Sequence, residues 1–150
     1  MLIDRIRIKS PKTEEDFNSY YYLRWFILRK EFEDDLESSK DELDKDSSHT
    51  MAVNDRKVVG VGRIHKINDE CSQIRYMATD SNYRGFGIGS LILSKLIDIA
   101  ILDQQKDVIL HSRENAIEFY KKNGFILIQK SHLLYNKIQH YLMKKELSKD

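Results

Sequence analysis

Three glycines, Gly85, Gly87 and Gly89, fall within Tyr83-Arg84-Gly85-Phe86-Gly87-Ile88-Gly89-Ser90, between a strand-like run and a long amphipathic one. The chemistry this spacing suits is the holding of an anion. Residues without Cβ atoms let backbone N–H groups close around a bulky group and adopt positive φ where a turn needs it. A helix opening at Ile88 adds its unpaired N-terminal N–H groups and the positive end of its dipole. One such end favours an anion by roughly 0.3–1 kcal/mol when exposed and up to about 2 when partly buried, so convergent N–H groups do more together. Spacing separates the nucleotide-binding classes. A Walker loop ends in Gly-Lys-Ser/Thr, but Gly89-Ser90-Leu91 has no lysine. The dinucleotide fingerprint places its third glycine where Ser90 stands. Neither pattern fits; the stretch itself reads Arg84-x-x-Gly87-x-Gly89, with a ligand-free strand-to-helix turn as the plain alternative.

A second constellation follows in Arg113-Glu114-Asn115-Ala116-Ile117-Glu118-Phe119-Tyr120-Lys121-Lys122-Asn123-Gly124-Phe125. Together the two stretches resemble the signatures of the GNAT superfamily of acyl-CoA N-acyltransferases. Val58–His65, Ile74–Ala78 and Ile138–Met143 are similar to strands of its small bacterial, ElaA-like members, so the resemblance covers essentially the whole chain. It implies acetyl-CoA or another acyl-CoA as donor and a small-molecule or peptide amine as acceptor; no metal is expected, because no histidine pair has ligand spacing. By position, Met77, Ala78 and Thr79 match the strand end that pairs with the pantetheine. Arg84, Gly85, Phe86, Gly87, Ile88, Gly89 and Ser90 match the pyrophosphate loop, and Asn115 and Phe119 flank the CoA arm. Two departures stand out: Thr79 where valine is usual, and Ser81 where proline is usual, which removes a stiffened turn. Tyr120 matches the general acid, because a thiolate leaving an aminolysed thioester needs a proton and a phenol of pKa about 10 carries one at neutral pH. An amine of lysine type, pKa about 10.4, is neutral in only roughly one part in 2,500 at pH 7, so its proton needs a destination. His65, Glu70, Glu42, His140 and water are the candidates, while Arg24 and Trp25 with the acidic 31–46 segment are expected on the acceptor side. A non-catalytic acyl-CoA-binding module of the same fold is the alternative function.

The chain's 150 residues suit one N-acetyltransferase domain, 1–150, around a single core. Its 25 basic and 24 acidic side chains are interspersed, so no nucleic-acid footprint is expected. The lone Cys71 rules out an internal disulfide, and Met1-Leu2-Ile3-Asp4-Arg5 lacks a signal peptide's apolar core. No apolar run approaches the length of a membrane span. A soluble cytoplasmic protein is expected, with a homodimer left open because many proteins of this fold dimerise.

The elements that must position these residues follow from periodicity. Leu2–Ile8 alternates as a strand. Thr13 with Glu14, Glu15 and Asp16 opens a helix through Leu28 so rich in aromatics that more than one face should be covered. Residues 31–46 read either as a solvated segment or as a lip over the acceptor site. His49–Val53 and Lys57–Lys66 form a hairpin, Ser72–Ala78 a third strand, and Ile88, Leu91, Ile92, Leu96, Ile99 and Ala100 the inward stripe of a helix. Strands at Asp107–His111, Phe125–Lys130 and Ile138–Lys144 surround a helix at Asn115–Lys122. The expectation is α/β: the GNAT acyl-CoA N-acyltransferase fold, with a mixed, mostly antiparallel central sheet splayed at the cofactor site and helices on both faces.

Overall fold

The computed structural model describes residues 5–147. In chain order it forms β1 (Ile6–Lys9), α1 (Glu14–Leu28), β2 (Ser48–Asn54), β3 (Lys57–Lys66), β4 (Cys71–Thr79), α2 (Ile88–Leu102), β5 (Asp107–Arg113), α3 (Ile117–Lys122), β6 (Ile126–Leu134) and β7 (Ile138–Glu146). The seven strands make one sheet in the order β1-β2-β3-β4-β5-β7-β6, antiparallel except where β4 meets β5. This mixed sheet with helices on both faces is the expected fold. No described helix is long and apolar enough to cross a membrane.

Each helix is set by local chemistry and then by burial. Thr13 and Asp16 complete a reciprocal capping box at the start of α1, satisfying two otherwise orphan N–H groups. Tyr20 and Leu23 of α1 pack with Met51, Val53, Val61 and Ala78 on one face of the sheet. The other face carries α2, whose Ile88, Ile92, Leu93, Leu96, Ile97 and Ala100 are buried with Val59, Val108 and Leu110. Burying each such aliphatic contributes about 1.5–3 kcal/mol. Close approach of α2 depends on two glycines of β3. A Cβ at Gly60 would lie 2.6 Å from Ile92 Cδ1, and one at Gly62 would lie 2.7 Å from Met77 Sδ and 2.8 Å from Ile92 Cγ2.

Several boundaries differ from expectation. Strand β1 begins at Ile6, and Leu2 to Asp4 of the expected strand lie outside the described residues. Helix α1 buries one face, leaving Tyr22 and Phe26 exposed in an aromatic group with Trp25, so its aromatic excess is surface. Leu91 is exposed while Leu93 and Ile97 are buried, which rotates the inward stripe of α2. A 3-10 turn at Glu114–Ala116 precedes the short α3 where one helix from Asn115 was expected.

The acidic segment is anchored through Asp41 and Asp44, while Glu31, Glu33, Asp35, Glu37, Glu42 and Asp46 stay exposed. Three 3-10 turns, Lys30–Phe32, Leu36–Ser39 and Asp44–Asp46, fold it against α1 and the sheet. Arg24 and Arg63, both wholly buried, converge on it: Arg24 Nη1 reaches Asp44 Oδ1 at 3.0 Å, and Arg63 Nη1 reaches Asp44 Oδ1 at 2.9 Å and Asp41 Oδ1 at 2.6 Å. Arg75 Nη1 adds a contact to Asp41 Oδ2 at 3.1 Å. Burial alone would raise the Asp44 carboxyl, but the Arg24 charge, the Asp41 N–H and the Arg63 hydrogen bond outweigh it and hold it below the usual range. The Tyr76 ring is sandwiched among the same three guanidiniums, 4.2, 5.0 and 4.4 Å from Arg24, Arg63 and Arg75.

Candidate active site

Strands β4 and β5 part company halfway along. Their ladder runs from Cys71–Asp107 to Ile74–Leu110 and ends there, while β4 continues along β3 to Thr79 and β5 along β7 to Arg113. A bulge sharpens the split. Two β3 residues, Val61 and Arg63, span the same length as Arg75 and Ala78, and Tyr76 takes the extra turn at φ 58°. Met77, Ala78 and Thr79 follow on the diverging half.

The glycine stretch begins one turn later and is pinned at its entry. Asp80 accepts from the Asn82 N–H at 2.9 Å, its own N–H bonds Val59 O at 2.8 Å, Lys57 pairs with its carboxylate at 3.4 Å, and Asn54 donates to the Tyr83 hydroxyl at 2.9 Å. These contacts hold the turn at Ser81, which has no proline to stiffen it. Gly85 (φ 85°) and Gly87 (φ 79°) adopt the left-handed region, and a Cβ at either would meet nothing within 4 Å. Gly87 caps α2 with no side-chain hydrogen bond, so the first N–H groups of the helix have no intrahelical or capping partner. Arg84, Gly85, Phe86 and Gly87 are exposed, Ile88 is buried, and Gly89 and Ser90 are half-buried.

The second motif closes on the first. A Cβ at Gly89 would stand 3.2 Å from Phe119 Cζ and 3.8 Å from Thr79 Oγ1, so strand end, glycine stretch and α3 meet at one point. Tyr120 lies beside Phe119 (centroids 5.0 Å) and Phe125 (5.8 Å), in edge-to-face contact with both. Burial pushes its phenol above its ordinary value, so it is protonated at neutral pH, and its hydroxyl donates to no described protein group. Gly124 (φ 93°) ends α3 as predicted, with Phe125 N–H bonded to Tyr120 O at 3.0 Å. Asn115 is exposed in the 3-10 turn and borders a cavity of about 300 Å³ with Phe32, Arg113 and Gln139. Another cavity, about 310 Å³, lies at the other end of β3 and β4 beside His65, one of the candidate bases, and touches none of the predicted cofactor-binding positions or Tyr120.

The sequence profile of the Acetyltransferase (GNAT) family matches residues 11–125. The chain belongs to this family. It is therefore an acyltransferase by descent, and its relatives agree. The Bacillus subtilis protein called "Uncharacterized N-acetyltransferase YjcF" is 28% identical over 135 residues, 90% of this chain and 96% of that protein. Among solved structures, Escherichia coli ElaA superimposes with a TM-score of 0.78 at 20% identity, covering 94% of this chain and 98% of that one. A GNAT family acetyltransferase from Elizabethkingia anophelis, solved with acetyl-CoA bound, superimposes with a TM-score of 0.77 at 15% identity over 96% and 99%.

For the acceptor side the structure redraws the expectation. Arg24 is fully enclosed and spent on Asp44, Ser39 O and the Tyr20 hydroxyl, so this GNAT chain uses it to anchor the acidic segment. The Trp25 indole N–H donates to Asp34 O at 2.8 Å and has the same anchoring role. Of the candidate bases, Glu70 is paired with Lys106 at 2.9 Å before β4, and Glu42 is exposed. His140 lies against His132 with ring centroids 4.2 Å apart, and His132 is 5.3 Å from His111. This three-histidine group was invisible in the sequence, where its members are scattered. The β5-β7-β6 strand order assembles it.

Proposed function

We propose that the chain is a single N-acetyltransferase domain, residues 1–150, that moves an acetyl group from acetyl-CoA to a primary amine by direct attack in a ternary complex. The observation carrying this reading is the meeting of Thr79, Gly89 and Phe119 beside uncapped helix N–H groups and a parted strand pair. These residues fit the ligand. Arg84 and the amides of Gly85 to Ser90 suit a diphosphate, the free side of Met77, Ala78 and Thr79 suits an added extended chain, and Asn115 and Phe119 flank its path. Acetyl-CoA brings the activated thioester carbonyl. Tyr120 is a buried residue whose phenol keeps its proton and whose hydroxyl has no hydrogen-bond partner among the described residues, as a general acid for a departing thiolate requires. The acceptor, a small molecule or a peptide, enters from the α1 face, where Phe32, Arg113 and Asn115 border an open cavity.

The test is CoA release, followed with a thiol reagent over a panel of primary amines, alongside calorimetric titration with acetyl-CoA. Turnover of at least one amine is expected. Tight acetyl-CoA binding with no turnover on any amine favours the non-catalytic module, and displacement of CoA by ATP or NAD would favour a nucleotide-binding domain.

A further inference from the structure

Side-chain parity along β5 puts the core that holds Tyr120 and the side chain of His111 on opposite faces of the sheet. Val108 and Leu110 join the core beneath α2 that also contains Tyr120. His111 and Arg113 alternate with them and face the other side, where Arg113 Nη2 donates to Leu28 O at 3.0 Å. His111 is the first β5 residue past the last pair with β4, Ile74–Leu110, so it stands at the mouth of the split. Its Nδ1 is buried and has no hydrogen-bond partner among the described residues, an unusual state for an enclosed imidazole nitrogen.

We propose that His111 is the base that takes a proton from the acceptor amine, an assignment that rests on the acyl transfer proposed above.

The other four histidines are committed elsewhere. His49 bonds the Tyr20 hydroxyl and Asp44 O, both at 2.7 Å. His65 contacts Arg63 Nη2 at 3.3 Å and borders the cavity at the far end of the sheet. His140 is buried with Nδ1 on Ile138 O at 3.1 Å, and His132 is exposed on β6, two strands from the split. Around His111 stand Arg75 of β4, held by Asp41, then His132 of β6, and two pairs further along Arg113 of β5 with His140 of β7. Arg29, after α1, adds positive charge near His132 and Arg113. Burial first, then His132 and Arg75, hold His111 below its ordinary value of 6.5, so it is neutral and able to accept a proton at pH 7. Among the described residues no histidine group is arranged to hold a metal ion.

The protons balance. The acceptor R–NH₃⁺ gives one proton to His111, and the freed lone pair attacks the thioester carbonyl carbon. As the C–N bond forms and the C–S bond breaks, the thiolate takes the Tyr120 proton. The second excess proton on nitrogen returns through water to the Tyr120 oxygen. His111 releases its proton to solvent on the side of exposed His132, so one proton leaves per amide made.

The experiment compares wild type with His111→Gln across pH 5–9, using the best amine of the panel at saturating acetyl-CoA. In wild type, kcat/KM for the amine should fall below a midpoint under 6.5. His111→Gln should lose that limb and lower kcat by about 10²-fold or more, with acetyl-CoA KM little changed. A kcat within about threefold of wild type and an unaltered pH profile would overturn the assignment while leaving acyl transfer standing. Absence of wild-type turnover on every amine overturns both. Should His111→Gln not fold or not bind acetyl-CoA, imidazole NMR titration of the CoA-bound wild type decides. A His111 midpoint within about half a unit of the kinetic limb supports the role, and a larger separation overturns it.

Discussion

At the scale of single residues, the site divides into groups that meet solvent chemistry and groups that only hold others. In the proposed reaction Tyr120 is of the first kind: a buried residue, protonated, with no partner for its hydroxyl among the described residues. Tyr120→Phe removes the proton and keeps the ring packing on Phe119 and Phe125, so kcat should fall about 10²-fold with acetyl-CoA affinity retained. Steady-state kinetics with calorimetry checks both halves, and an unchanged kcat removes Tyr120 from the reaction. Asp44 is of the second kind. It takes Arg24 and Arg63 together, and Asp44→Asn leaves two buried guanidiniums short of charge, a loss of about 3–5 kcal/mol in urea unfolding. The pH dependence has a definite sign. Because the folded-state pKa of Asp44 is depressed from 3.8, its stabilisation is fully present above that value and is lost as pH falls through the folded value. Acid unfolding of wild type should therefore include a step below about pH 3.8 that Asp44→Asn lacks.

At the scale of elements, the glycine stretch and the β3 glycines do different jobs, and substitution separates them. Gly62→Ala drives a Cβ against Met77 Sδ and Ile92 Cγ2, so it should cost about 1–3 kcal/mol of stability by overpacking. Gly87→Ala meets no atom but must hold φ 79°, costing roughly 1–2 kcal/mol or reshaping the turn that aims the first amides of α2. Its larger effect should be on acetyl-CoA affinity, read by calorimetry, with Gly62→Ala leaving affinity nearly unchanged in the folded fraction. The glycine stretch, the Thr13 cap, the hairpin turn and the Gly124 stop were legible because each is local chemistry within a few residues. The charge cluster was not. Asp44 lies 20 residues from Arg24 and 19 from Arg63, and Asp41 lies 34 from Arg75, so composition alone showed the solvated carboxylates of 31–46 and not the anchor beneath them. The three-histidine face was hidden for the same reason, since strand order and side-chain parity, not spacing, bring His111, His132 and His140 together.

At the scale of the whole molecule, the sheet is two half-sheets joined by a short seam. Strands β1 to β4 pair extensively, as do β5, β7 and β6, but among the described residues only the Cys71–Ile74 and Asp107–Leu110 ladder joins the halves of the sheet. A ligand running along Met77–Thr79 toward the start of α2 and α3 would tie the two halves across the split. Ligand that binds only the folded state stabilises it by about 2.7 kcal/mol at a hundredfold excess over Kd. For a chain of this size each kcal/mol moves Tm by roughly 2–4 °C, so saturating acetyl-CoA should raise Tm by about 5–11 °C. The protection should also be local. Amide exchange should slow at Met77 to Thr79, at Gly85 to Ser90 and at Ser112 to Asn115, while β6, with Ile126, Leu127 and Ile128 exposed at the sheet edge, exchanges as before. A rise in Tm with no slowing at those three stretches would place the ligand elsewhere, because the seam itself would then be untouched.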